Sequence, residues 1–460
     1  NNNEMDVISV LPNSSKIKTY SMDTLPMRGF VWWVTILSSM GMFMDGYVLT
    51  IFSAATILPV GLKNVFHPTS FEWGLMGAAT LLGMFIGAIT FGNLADKVGR
   101  KKLYIYDLSF TSLFMFLTVF STNWYMFFLF QLIAGIGIGA DYPISSSLQA
   151  EFSPKSKRGV LLVLNIFMWT IGSIVFLLIS IPLYYTGAVA WKLMYGTAAI
   201  IPLFVIILRN ILPESPRWLM LKDKKDELVK AVNHISKAVG TTPEGLIEGI
   251  NIEYGKSSFK ELFSKRFISL TLFSSIAWFS YDVSSYGVWT FTPTIFVSLG
   301  GTYISSIIGD LLEEIPTFIG FIICISLVER IGRKPLEEYG FFLAGISLVL
   351  FGIYTYFVEK PIFLAAFFGF ALMHIFHNIG PTNLTYVYPS EGYPTRLRAT
   401  AHGFSTSVSR LGGVLGISAF PVVLNSLNLS GALFMFAAFE FIGFTVTKLW
   451  APETKGISLK

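Results

Sequence analysis

Three aspartates sit well inside apolar stretches of this chain: Asp45, Asp141 and Asp282. An ionised carboxylate inside a bilayer costs about 2.5–3.5 kcal/mol on insertion scales. Such a group therefore faces a cavity, pairs with a cation, or carries a proton. Asp141 follows Gly135, Gly137 and Gly139, whose bare backbone lets another helix come close. Trp278, Asp282 and Tyr286 recur at i, i+4 and i+8, which puts an indole, a carboxylate and a phenol on one helix face. Gly287 and Pro293 weaken that helix locally, and Asp310, near the end of the next span, is expected to matter less than Asp282. Glu313 and Glu314 precede Pro316. They read as extra proton carriers, as an acidic lining that selects neutral or cationic solutes, or as the mouth of a cavity. His374 and His377 lie one turn apart without an evident third ligand, so packing is favoured over metal binding and no metal or cofactor is expected. Neither a Ser/His/Asp motif nor a phosphate-binding Gly-x-x-x-x-Gly-Lys-Ser/Thr loop occurs, so the chain reads as no enzyme and must draw energy from a gradient.

The elements that position these residues follow from composition. Of 460 residues, 53% are hydrophobic and 13% charged, about half the charge of a soluble domain. With 43 Phe and a mean hydropathy of +0.63, the chain cannot cover a water-facing surface. It is an integral membrane protein whose solvent is the lipid bilayer. A single Cys, Cys324, excludes a disulfide framework. Apolar runs long enough to span about 30 Å fall near 31–58, 72–94, 103–121, 124–150, 159–185, 191–212, 267–298, 303–328, 338–357, 361–388, 398–425 and 430–451. They are continuous rather than alternating, which excludes a β-barrel. The polar start, residues 1–29, lacks a signal-peptide core and reads as a cytoplasmic lead-in. With both termini inside, 29 of 33 basic residues fall on the inner side, ten of them from Arg217 to Arg266. The positive charge thus reports orientation and no nucleic-acid partner; the plasma membrane is the expected location.

The chain also repeats itself. Asp96-Lys-Val-Gly-Arg-Lys101 recurs 233 residues later as Glu329-Arg-Ile-Gly-Arg-Lys334. Glu151-Phe-Ser-Pro154 with Arg158 recurs as Glu391-Gly-Tyr-Pro394 with Arg398, and Pro213-Glu-Ser-Pro-Arg217 as Pro452-Glu-Thr-Lys-Gly456. The expected architecture is an all-α membrane protein with twelve transmembrane helices in two pseudo-symmetric six-helix halves, 1–212 and 267–460, joined by a partly helical linker, 213–266. Two bundles rocking about a midplane site is a transporter arrangement.

These paired motifs resemble the signatures of the major facilitator superfamily, and the match covers the whole chain. The resemblance implies a monomeric transporter. Asp96, Arg100, Glu151, Arg158, Glu329, Arg333, Glu391 and Arg398 would then form ion networks that gate the cytoplasmic face. Phe43-Met-Asp45-Gly-Tyr47, Gly139-Ala-Asp141-Tyr142-Pro143, Trp278-x-x-x-Asp282-x-x-x-Tyr286 and Gly380-Pro-Thr-Asn383 are similar to blocks of the phosphate:proton symporters. By that likeness Tyr142, Trp278, Asp282, Tyr286 and Asn383 would contact substrate. Asp45, Asp107 and Asp141 would handle protons, and Arg410 stands where that family usually has a Lys; Glu313 and Glu314, proton-carrier candidates on the residue reading above, fall where that family has small or apolar residues. Trp169 takes the place of a substrate-binding Gln and is itself an expected substrate contact, while Val48 takes the place of a second Asp and Gln131 that of an Arg. The expected function is proton-coupled symport of a small polar solute, phosphate or a similar anion first. The alternatives are a sugar porter, an organic-acid or metabolite symporter, and, more remotely, a non-transporting receptor on the same scaffold.

Overall fold

The computed structural model describes residues 19–255, 257–298, 302–358 and 363–459, so Asn1–Lys18 of the expected lead-in lies outside the described residues. The long helices are α1 (Gly29–Thr56), α2 (Ser70–Val98), α3 (Arg100–Thr118), α4 (Trp124–Phe152), α5 (Arg158–Tyr184), α6 (Ala190–Arg209), α7 (Ile268–Ser298), α8 (Tyr303–Leu327) and α9 (Arg333–Phe357). Then α10 comes in two pieces, Phe363–Ile379 and Pro381–Glu391. The last helical run, Arg398–Trp450, changes direction at Asn428, whose φ of 60° and ψ of −174° are not helical. Its parts before and after Asn428 are α11 and α12. This is the expected all-α arrangement of twelve membrane helices in two six-helix halves.

Among the described residues, eight helices are long and apolar enough to cross a membrane on their own. The helices that fall short are α3, α7, α8 and α11. Three of them, α7, α8 and α11, supply most of the polar residues of the central cavity described below. Polar residues in a bilayer are tolerated where they face water or one another, so these helices must sit inside the bundle. Across the midline, α2 packs on α11 and α5 on α8, while α7 lies along α11 within its own half. A Cβ on Gly92 would come within 3.0 Å of the Gly403 Cα, so α2 and α11 cross backbone to backbone.

The repeated motifs have a shared mechanical role. Gly99 and Gly332, with φ of 114° and 109°, make the turns into α3 and α9, a backbone region that disfavours residues with a Cβ. Over each turn lies a glutamate from the end of its half. Glu214 accepts the Lys101 N–H at 3.0 Å, and Glu453 accepts those of Arg333 and Lys334 at 3.1 and 3.2 Å. Free N–H groups at a helix start need such acceptors, and a carboxylate also suits the positive end of the helix dipole. Each Pro-Glu motif thereby ties the end of its half back to that half's third helix.

One element differs from the sequence expectation. Helix α7 is continuous through Gly287 and Pro293, and a Cβ on Gly287 would strike the Phe436 ring. The tenth run, expected to be continuous, breaks at Gly380, before Pro381, which has no N–H to continue the helix. The connection between α6 and α7 holds four short helices. The amphipathic Lys225–Val239 buries Leu228, Val232 and Ile235, the stripe its spacing predicts. Residues Met22 and Leu25 of the lead-in are buried in the same cluster.

Candidate functional site

A cavity lies between the halves. From the first half it is lined by Tyr142 on α4 and by Trp169 and Thr170 on α5. Helix α7 contributes Trp278, Asp282, Tyr286 and Trp289, and α11 contributes Arg410. From α8 come Asp310, Glu313, Glu314 and Thr317. The face that the 278–282–286 spacing predicts is therefore the face on the cavity, and Tyr281, Ser285 and Trp289 extend it.

Arg410 organises the centre. Its Nη1 donates to Asp282 Oδ2 at 2.9 Å and to the Tyr286 hydroxyl at 2.8 Å. Its guanidinium lies 4.5 Å from the Tyr142 ring centroid and 5.9 Å from that of Trp278, within cation–π range. Asp45 sits behind Tyr142, accepting its hydroxyl and, at 3.1 Å, the Trp169 indole N–H. Tyr142 thus touches both charges, the carboxylate through its hydroxyl and the guanidinium through its ring. Trp169, at the position expected to hold a glutamine, serves as a donor to Asp45.

Three expected residues are placed elsewhere. Asp107 and Asp141 are fully buried outside the cavity lining, bridged by Arg209 at 2.8 and 2.6 Å. Arg209 also donates to the Tyr104 carbonyl at 2.7 Å and stacks on its ring. Its position near the end of the sixth apolar run was the available signal, and grouping it with the inner loop charges hid it. Asn383 does not line the cavity; its Nδ2 donates to the Asn378 carbonyl at 2.5 Å. The break in α10 leaves that carbonyl without its helical donor, and Asn383 supplies one. Of the two histidines, His374 lines the cavity and His377 bonds Glu440 at 3.0 Å. Asp310, expected to be peripheral, is part of the lining.

At the end of the bundle that carries the connecting helices, the halves are bonded shut. Asp96 accepts the Thr400 N–H and hydroxyl, each at 2.8 Å, capping the start of α11 from the end of α2. Arg100 reaches Asp96, Glu151 and the Thr395 carbonyl, and Arg398 bonds Glu151 across the midline at 2.6 Å. On the opposite side Arg333 pairs with Glu329 at 2.8 Å and Glu391 at 2.9 Å. Glu329 in turn accepts the Gly159 N–H of α5 at 2.8 Å. Arg158 departs from the symmetric pattern. It bonds Asp23 of the lead-in at 3.1 Å and the Ile457 carbonyl at 2.8 Å, because Thr454 occupies Glu391 instead. Arg217 joins the same cluster, to Asp23 at 2.9 Å and the Leu459 carbonyl at 3.2 Å. Burial lowers its affinity for its proton, and the Asp23 and Glu151 charges oppose that fall.

Residues 34–460 match the family model described as "Sugar (and other) transporter". Over 429 residues, covering 93% of each chain, the sequence is 32% identical to the putative metabolite transport protein YaaU of Escherichia coli. It is 26% identical to the probable inorganic phosphate transporter 1-6 of Arabidopsis thaliana, over 92% of each chain. Among solved structures, the proton:xylose symporter XylE bound to 6-bromo-6-deoxy-D-glucose superposes with a TM-score of 0.78 at 18% identity, covering 94% of this chain and 98% of that one.

Proposed function

The chain belongs to the sugar (and other) transporter family, a branch of the major facilitator transporters, and from that premise we propose that it couples proton entry to uptake of a small polar metabolite. It is an integral, multi-pass membrane protein and not an enzyme. In the proposed setting it lies in the plasma membrane with the connecting helices in the cytoplasm, as the excess of basic residues at that end favours. The halves, 1–212 and 267–460, are taken as the rocking units. The structure then corresponds to a state closed toward the cytoplasm.

The observation that carries this reading is the run Asp45–Tyr142–Arg410–Asp282, which joins helices of both halves across one cavity. Protonation of Asp282 weakens its hold on Arg410, whose guanidinium is then available to an acceptor group of the solute. Protonation of Asp45 frees the Tyr142 hydroxyl in the same way. Proton and solute binding are thereby one linked event. Loss of either proton restores the internal pair and competes with the solute, which favours release.

Purified protein in liposomes should accumulate its solute when the outside is acidic, and a protonophore should abolish the accumulation. Accumulation that a protonophore leaves unchanged refutes the proton-coupled reading. Phosphate is the second reading, supported by Arg410, Tyr142, Trp278 and Tyr286 as a set of anion-facing groups. Phosphate competing for binding at the Arg410 site would favour it.

A further inference from the structure

We propose that the transported solute carries a cationic nitrogen, an ammonium or a quaternary amine, held against a wall of carboxylates on α8. This rests on the transport reading above and names its substrate class. Asp310, Glu313, Glu314 and Thr317 stand at i, i+3, i+4 and i+7, one face of the helix, and all of them line the cavity. Glu313 is 5% exposed, and neither of its carboxylate oxygens has a hydrogen-bonding partner among the described residues. Asp310 is also 5% exposed, and its Oδ2 likewise has no partner there. Both therefore point an unmet charge or donor requirement into the space that the solute must occupy.

The protein does not meet that requirement from the facing walls. The guanidinium of Arg410 is engaged by Asp282 and Tyr286, and the other basic side chain of the lining is His374 on α10. A buried carboxylate is stable when a cation or donors come within reach, and a bound cationic group supplies what the walls do not. Its neighbours suit it as well. Trp169 on α5 and Trp289 on α7 both line the cavity and touch each other edge to face, with ring centroids 5.2 Å apart, and aromatic rings attract ammonium groups. Inorganic phosphate would instead bring negative charge toward unpaired carboxylates. A hexose would satisfy hydroxyl acceptors yet leave the charge of the wall unmatched. Arg410 lines the same cavity and, once protonation of Asp282 loosens that pair, can take an acidic or hydroxyl group on the same solute, so a zwitterion suits this lining.

The test compares pairs that differ in charge and hardly in shape, on purified full-length protein in lipid nanodiscs. Choline, glycine betaine and β-alanine are measured against their carbon isosteres, in which a tert-butyl or methyl group replaces the charged nitrogen. Inorganic phosphate and glucose are measured alongside. At least one cationic probe should bind about tenfold or more tightly than its isostere, and the preference should vanish in both Glu313→Gln and Asp310→Asn. Unchanged melting temperatures show that the variants are folded, and either variant suffices if the other fails. The proposal is overturned if no cationic probe outbinds its isostere, or if the preference survives both substitutions. It is also overturned if Glu313→Gln keeps the preference but loses proton-driven uptake, which would make the wall a proton path. The transport reading fails separately, if a solute that binds is not accumulated under an imposed proton gradient.

Discussion

At the scale of single residues, Arg410 and Arg209 divide the buried acids into two kinds. Arg410 holds Asp282 at the cavity wall, whereas Arg209 holds Asp107 and Asp141 outside the lining of that cavity. Asp282→Asn should cut solute binding at least tenfold, about 1.4 kcal/mol, read by calorimetry on purified protein. Binding equal to the parent would remove Asp282 from the site. Arg209→Gln should instead destabilise the fold by about 3–5 kcal/mol, because two buried carboxylates lose their cation. Thermal melting measures that, and adding Asp107→Asn with Asp141→Asn should recover part of the loss. An Arg209→Gln protein that melts like the parent would show that the triad contributes little. The sequence shows that Asp45, Asp141 and Asp282 are costly in a bilayer, and that 278, 282 and 286 share a face. It cannot show which acid has a cation opposite, since that depends on how α6 and α11 are rotated against their neighbours.

At the scale of elements, the ends of the helices do more than their spans. The apolar runs reveal the spans, because lipid demands length and continuity. The interruption of α10 escapes a hydropathy reading, because Gly380 and Pro381 barely change the mean; the Gly-Pro pair was the local signal. The connection between the halves shows how an end is fastened. Glu253 takes a bidentate pair from Arg266 at 2.8 and 2.7 Å and a further bond from Arg396, just before α11, at 2.6 Å. The Arg266 bonds chiefly, with those of Arg396, hold its pKa below the usual carboxylate value. A depressed acid stabilises the folded state above its unfolded pKa and stops doing so as pH falls through the folded one. The melting temperature of Glu253→Gln should therefore lie below the parent's at neutral pH and converge with it as pH drops below about 4. A gap that persists in acid would mean that Glu253 acts by packing.

At the scale of the whole molecule, a dense set of bonds joins the two halves at one end, and a cavity lies between them. Asp96→Asn should alter the rate of opening more than the affinity of the site, so turnover should shift by a larger factor than the binding constant. The reverse outcome would make Asp96 a contact of another kind. The division into halves is legible in the repeats, because each motif does the same job over the same kind of turn. The departure from symmetry at Arg158 is not legible, because its partners Asp23 and Ile457 belong to segments without a repeat. That departure sets the grain of the molecule's breathing. Asp23 is shared by Arg158 and Arg217, its carbonyl accepts the Lys155 N–H at 3.0 Å, and the carbonyls of Ile457 and Leu459 bind the same two guanidiniums. Remote stretches of backbone thus depend on one carboxylate. In heavy water, the amides near Asp23, Lys155 and Ile457 should gain deuterium together, at a single rate, rather than fraying one by one. In Asp23→Asn that shared rate should rise for all three stretches at once, which exchange followed by mass spectrometry can resolve.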